Sequence, residues 1–129
     1  MKQTLTYQPF SGRNQAISRL GGLEDLYIKY VERFQSNYSN SAAELHRLIN
    51  IENYEEAKIL VHSVKGLAAT LGMEDLQACA GSIESAIAEG RFIDLPSLFH
   101  YYERALIQIL QSDIDQSSSG AGTVFSGLK

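Results

Sequence analysis

Cysteine is almost absent from this 129-residue chain: Cys79 stands alone, so no disulfide can form within it. That scarcity fits a reducing compartment. Long apolar runs are missing too, and none approaches the roughly 18 to 20 residues that span a bilayer. The opening stretch from Met1 to Phe10 lacks the apolar core of a secretory signal. No membrane insertion is expected, and a soluble cytoplasmic domain is the default. Positive charge is in short supply: the formal net charge is -4, which argues against nucleic acid while leaving room for a local basic patch. No glycine-rich loop precedes a Lys-Ser/Thr pair, and no length is left for a nucleotide-binding domain, so ATP chemistry is not offered. Proline occurs twice, at Pro9 and Pro96. Both sit where a helix could begin.

What remains is ordinary globular material, 44% apolar and 20% charged, enough for one core. No segment alternates with period two, whereas apolar residues recur at helical steps throughout. The expected fold is all-α: an antiparallel up-down four-helix bundle with an additional short N-terminal helix. Residues 1–13 read as an irregular lead-in, 14–112 as the helical domain and 113–129 as a Ser/Gly-rich tail of flexible-linker chemistry.

Within the domain, a short helix over 14–20 ends at Gly21-Gly22. Leu23, Leu26, Tyr27, Tyr30, Val31, Phe34 and Tyr38 then form the stripe of a longer helix. Ser41 with Glu44 matches a capping box opening a helix that buries Leu45, Leu48 and Ile49. Asn53 with Glu56 repeats a start signal, and Gly72 closes that helix. Its stripe is Ala57, Leu60, Val61, Val64, Leu67, Ala68 and Leu71. A further stripe, Leu76, Cys79, Ala80, Ile83, Ala86 and Ile87, ends at Gly90. Pro96 announces the last helix, carrying Leu98, Phe99, Tyr102, Ala105, Leu106, Ile109 and Leu110.

The side opposite the stripe of residues 53–71 holds Lys58, His62, Lys65, Gly66 and Ala69. In this register His62 points to solvent, with two lysines within a turn of its imidazole. Gly66, one turn on, costs about 1 kcal/mol relative to alanine inside a helix. Such a glycine often marks a place where something approaches the backbone closely. A nucleophilic imidazole, adjacent cations and low relief suit a transferable phosphoryl group. A solvated histidine beside a tolerated glycine accounts for the same strip, and on pattern alone it stands ahead.

The segment His62-Ser63-Val64-Lys65-Gly66-Leu67-Ala68-Ala69-Thr70-Leu71-Gly72 resembles the signature of histidine-containing phosphotransfer (HPt) domains. Gly21-Gly22, the Asn53–Ala57 turn-to-helix, and Leu76, Cys79 and Glu84 are similar to that family as well, so the likeness runs over about 14–110. Val64 stands where the family often has leucine.

The resemblance implies a phosphoryl carrier between response-regulator receiver domains, not a kinase. His62 would accept through Nε2, Lys65 would steady the phosphoryl oxygens, and Gly66 would leave space for the receiver. The chain would bind no cofactor, since Mg²⁺ would come from the partner receiver. A monomer is expected, and a freestanding protein and the end of a hybrid sensor kinase both fit. Lys58, Ile59 and Ala69 are taken as receiver contacts, although an ordinary solvated lysine and a rim isoleucine fit equally. A non-catalytic helical adaptor and a metal-binding bundle using His46 or His100 are the alternatives; both histidines read as structural. Cys79 reads as a small hydrophobe.

Overall fold

The structure is a computed structural model and describes residues 9–112. The first eight residues of the lead-in and the whole 113–129 tail lie outside the described residues. Six α-helices follow in order: α1 (Arg13–Arg19), α2 (Glu24–Asn37), α3 (Ser41–Asn50), α4 (Tyr54–Leu71), α5 (Glu74–Ala88) and α6 (Leu95–Gln111). A 3-10 turn at Phe92–Asp94 leads into α6. The described residues include no strand.

α4 and α5 share the most extensive helix contact, and α4 also meets α3, α2 and α1. Their stripes meet in one core: Ala57, Val61, Val64, Ala68 and Leu71 from α4, and Leu76, Ala80, Ile83 and Ala86 from α5, are all buried. Tyr27, Leu45, Leu106 and Ile109 close it from the other helices. Several positions of the expected stripes are not fully buried. Leu23 precedes α2 and is exposed, Leu67 is 39% exposed, and Leu60 and Cys79, among others, are only half-buried. The buried set on α4 follows the narrow four-three spacing, which leaves Leu60 and Leu67 on its flank.

The helix starts divide by chemistry. At α4, Asn53 accepts a hydrogen bond from the Glu56 amide at 3.3 Å, as expected of a cap. The capping box at α3 does not form. Ser41 is already the first helical residue, and its buried hydroxyl lies 2.9 Å from the Tyr102 hydroxyl. Ser41 falls on the inward stripe with Leu45 and Leu48, so its oxygen finds a partner in the core rather than on the backbone. Glu44 pairs with Arg47 at 2.7 Å.

Gly72 ends α4 in the left-handed conformation, φ 73°, and the Met73 amide returns to the Ala68 carbonyl at 2.9 Å. The remaining carbonyls of this end are met from the N-terminal segment. Arg19 donates to Ala69 and Thr70 at 3.1 and 3.2 Å, the Tyr27 hydroxyl to Leu71 at 2.7 Å, and the Gly12 amide to Gly72 at 2.7 Å. A Cβ on Gly72 would overlap the Gly12 backbone, and one on Gly12 would sit 2.9 Å from the Gly72 Cα.

Gly72→Ala should therefore lose about 2–4 kcal/mol, combining left-handed strain with overlap. Gly21 has the same backbone sign, φ 75°, but open space around a new Cβ, so Gly21→Ala should lose only about 1 kcal/mol. Urea unfolding of the two variants checks the order. An equal loss at both would contradict the close packing of Gly12 on Gly72.

Candidate functional site

An α-helix turns about 100° per residue, so the centre of the buried α4 stripe lies about 140° round the axis from His62. The imidazole accordingly faces away from the core, and its side chain is 68% exposed. Position Glu84 borders the α5 stripe beside buried Ile83 and Ala80, on the edge that meets α4; its side chain is only 18% exposed.

Glu84 grips two residues of α4 at once. His62 Nδ1 is 2.7 Å from Glu84 Oε2, and Lys65 Nζ is 2.6 Å from Oε1. The hydrogen bond from Lys65, joined by that from His62, holds the Glu84 carboxyl below the ordinary carboxylate range. At neutral pH the carboxylate is thus charged and can only accept. The Nδ1 atom must be the donor, which in the neutral ring leaves the lone pair on Nε2. No described residue hydrogen-bonds to Nε2.

The other residues of the expected strip share this face. Lys58 is exposed and makes no ion pair among the described residues. Ile59 is 55% exposed. With Glu55, Ser63, His62 and Glu84, these two line a shallow open depression beside the imidazole. Ala69 is half-buried, its carbonyl held by Arg19. At Gly66 an added Cβ would meet nothing within 4 Å. Among the described residues nothing accounts for the glycine, because neither packing nor backbone conformation demands it.

Two points differ from the sequence reading. Both lysines were expected above the imidazole, yet Lys65 is turned onto Glu84, because that carboxylate stands across the α4–α5 seam. In the sequence, Glu84 stands out only as part of the family likeness, with no role attached to it. Its single signal was a carboxylate at the margin of a core stripe.

His46 lies against the Phe99 ring, centroids 5.2 Å apart, and His100 lies edge-on to Tyr101 at 5.8 Å. Among the described residues, no group of three or more His, Cys, Asp or Glu side chains is placed to hold a metal ion. Burial, with Asp75 adding to it, pushes the Cys79 thiol up. No helix of the described residues is long and apolar enough to cross a membrane.

The described residues are thus an all-helical domain presenting an exposed histidine, with one ring nitrogen tethered and no hydrogen bond to the other. A family model described as Hpt domain matches residues 29–119, well over half of the chain. The chain belongs to the Hpt domain family, whose members carry out histidine phosphotransfer in phosphorelays and interact with receiver domains. Comparisons with curated proteins and with solved structures returned no significant match.

The tether predicts a tautomer. At neutral pH, ¹⁵N imidazole spectra should show His62 protonated at Nδ1 when neutral, and Glu84→Ala should release that preference. Because the folded-state pKa of Glu84 is lowered, its contribution to stability is complete above the ordinary carboxylate range and is lost as pH falls through the lowered value. The stability gap between wild type and Glu84→Gln should shrink in acid, as pH falls through the ordinary carboxylate range and the lowered value of Glu84. A gap that stays unchanged once the carboxylates are protonated contradicts the ion-pair geometry.

Proposed function

We propose that this chain is a phosphoryl carrier in a His–Asp phosphorelay, taking the group from one receiver aspartate at His62 and giving it to another. The carrying observation is the Glu84–His62 hydrogen bond of 2.7 Å, which leaves Nε2 bare on an exposed face. We take α3 to α6 as the antiparallel four-helix bundle and α1 as the additional short helix, with α2 a second helix outside the four that packs on α4 and α1; the short connections at 51–53 and 72–73 support that arrangement.

In the forward step the Nε2 lone pair attacks phosphorus in line. The nitrogen–phosphorus bond forms as the phosphorus–oxygen bond to the aspartyl group breaks, and the carboxylate leaves with the electron pair. The ring keeps its Nδ1 proton and becomes cationic. Glu84, already bonded to that proton, stabilises the charge, as a buried carboxylate does behind other catalytic histidines. Lys65 supplies positive charge toward the equatorial phosphoryl oxygens. A second receiver aspartate reverses the step, with neutral imidazole leaving.

Receiver docking falls on Lys58, Ile59, Gly66 and Ala69. Lys58 attracts the acidic phosphorylation pocket, Ile59 offers apolar surface, and Gly66 lets the receiver backbone descend. Mg²⁺ belongs to that receiver pocket and not to this chain. The domain acts as a cytoplasmic monomer and has no ATP chemistry of its own.

Incubation with a phosphorylated receiver and Mg²⁺ tests the reading. Wild type should acquire acid-labile, base-stable label, and His62→Gln should acquire none. Label persisting on His62→Gln removes His62 from the mechanism; no label on wild type leaves a non-catalytic interaction module.

Gly66 gives a separate outcome. Gly66→Leu should slow transfer roughly tenfold or more through steric exclusion, while thermal stability holds or rises by up to about 1 kcal/mol. Unchanged transfer would dispose of the close-approach role.

A further inference from the structure

Lys65 reaches Glu84 by crossing α5, and the place where it crosses is Gly81. That residue lies in the interior of α5, one turn before Glu84 and on the same side of the helix. Its backbone is right-handed helical, so no turn or left-handed conformation calls for glycine. Such a glycine costs about 1 kcal/mol relative to alanine. The nearest atom to a Cβ added there is Lys65 Cδ, at 3.4 Å. Among the described residues, nothing else outside the local helix backbone lies within 4 Å of it. The bare backbone at Gly81 thus faces the lysine stem.

We propose that Gly81 is a positioning residue: it provides the bed in which the Lys65 stem lies, and so sets where the Lys65 ammonium stands relative to Glu84 and His62. The inference rests on the role given to Lys65 in transfer. A single methyl group fits at 3.4 Å, which is ordinary contact. Anything with γ-carbons competes with the stem for the same space. A β-branched side chain fills both directions that a helix leaves open, so it cannot turn aside. With its stem lifted, Lys65 loses the 2.6 Å contact to Glu84 Oε1, and its charge no longer sits one turn from the imidazole at a fixed height.

The same position lines a polar trough with Lys65, Ala78, Ser82, Ser85 and Arg91. The two cations there are already engaged, Lys65 by Glu84 and Arg91 by Glu89 and Asp94. The floor of the trough at Gly81 is thus occupied by the Lys65 stem.

The test uses the full chain, a phosphorylated receiver with Mg²⁺, and four variants: Gly81→Ala, Gly81→Val, Lys65→Ala and the Gly81→Val/Lys65→Ala double. Gly81→Ala should transfer within about twofold of wild type and melt higher, since only helix propensity changes. Gly81→Val should fall to the Lys65→Ala rate, roughly a hundredfold below wild type, the lower end for losing one charge-stabilising donor. The double variant should be no slower than Lys65→Ala.

A geometric readout stands apart from transfer. The wild type should give a nuclear Overhauser contact between Lys65 Hδ and Gly81 Hα, and Gly81→Val should lose it while circular dichroism stays helical. Should the valine variant fail to fold, Gly81→Leu, a better helix former, is expected to show the same rate and the same lost contact. Wild-type transfer in a folded valine or leucine variant overturns the proposal, as does a further drop in the double variant or the absence of the wild-type contact. Wild-type transfer by Lys65→Ala, with the Lys65–Gly81 contact present in the native chain, instead overturns the role of Lys65 and leaves the bed intact.

Discussion

The register in which α5 packs along α4 is the constraint on which everything else here leans. Ala57, Val61, Val64 and Ala68 meet a complementary stripe on α5, and apolar packing of that density tolerates no slippage. Once Ile83 and Ala80 are seated, Glu84 has one position, at the seam, within reach of both His62 and Lys65. A shift of one residue would swing the carboxylate by about 100° and leave imidazole and ammonium without it. The chemistry of the exposed face is thus decided by contacts buried beneath it.

A single ionised carboxylate performs two electrostatic duties across that seam. Toward His62 it selects a tautomer, and toward Lys65 it fixes a cation. Both partners favour its charged form, which is why its pKa is lowered although its side chain is largely covered. Desolvation alone would have raised it. The network matters more than the net charge of the chain: a molecule at -4 presents a histidine flanked by two lysines, because the charges that count lie within one helical turn.

Local chemistry was legible where one segment determines it alone. Asn53, Gly72, Gly90 and Pro96 each sit where a helix begins or ends, and the outward direction of His62 follows from periodicity within α4. Properties that depend on a second segment were not. Ser41 carries a cap signature, yet Tyr102, from α6, draws its hydroxyl inward. Leu67 belongs to a plausible stripe but lies beyond the width that neighbouring helices cover. Glu84 is twenty-two positions from His62, and no periodicity within either helix reveals that the two meet. Gly66 was readable as a cost without a benefit inside the chain, and the open space around it leaves that reading intact.

The C-terminal end of α4 has a consequence for how the domain meets other molecules. Its last carbonyls are held by Gly12, Arg19 and Tyr27, and its first turn is held by Asn53. A helix clamped at both ends does not fray, so the surface between the clamps has its shape before any encounter. Conformational entropy that an unclamped helix would surrender during association has here been surrendered during folding. Contact with a partner can then be small in area while still being accurate in geometry.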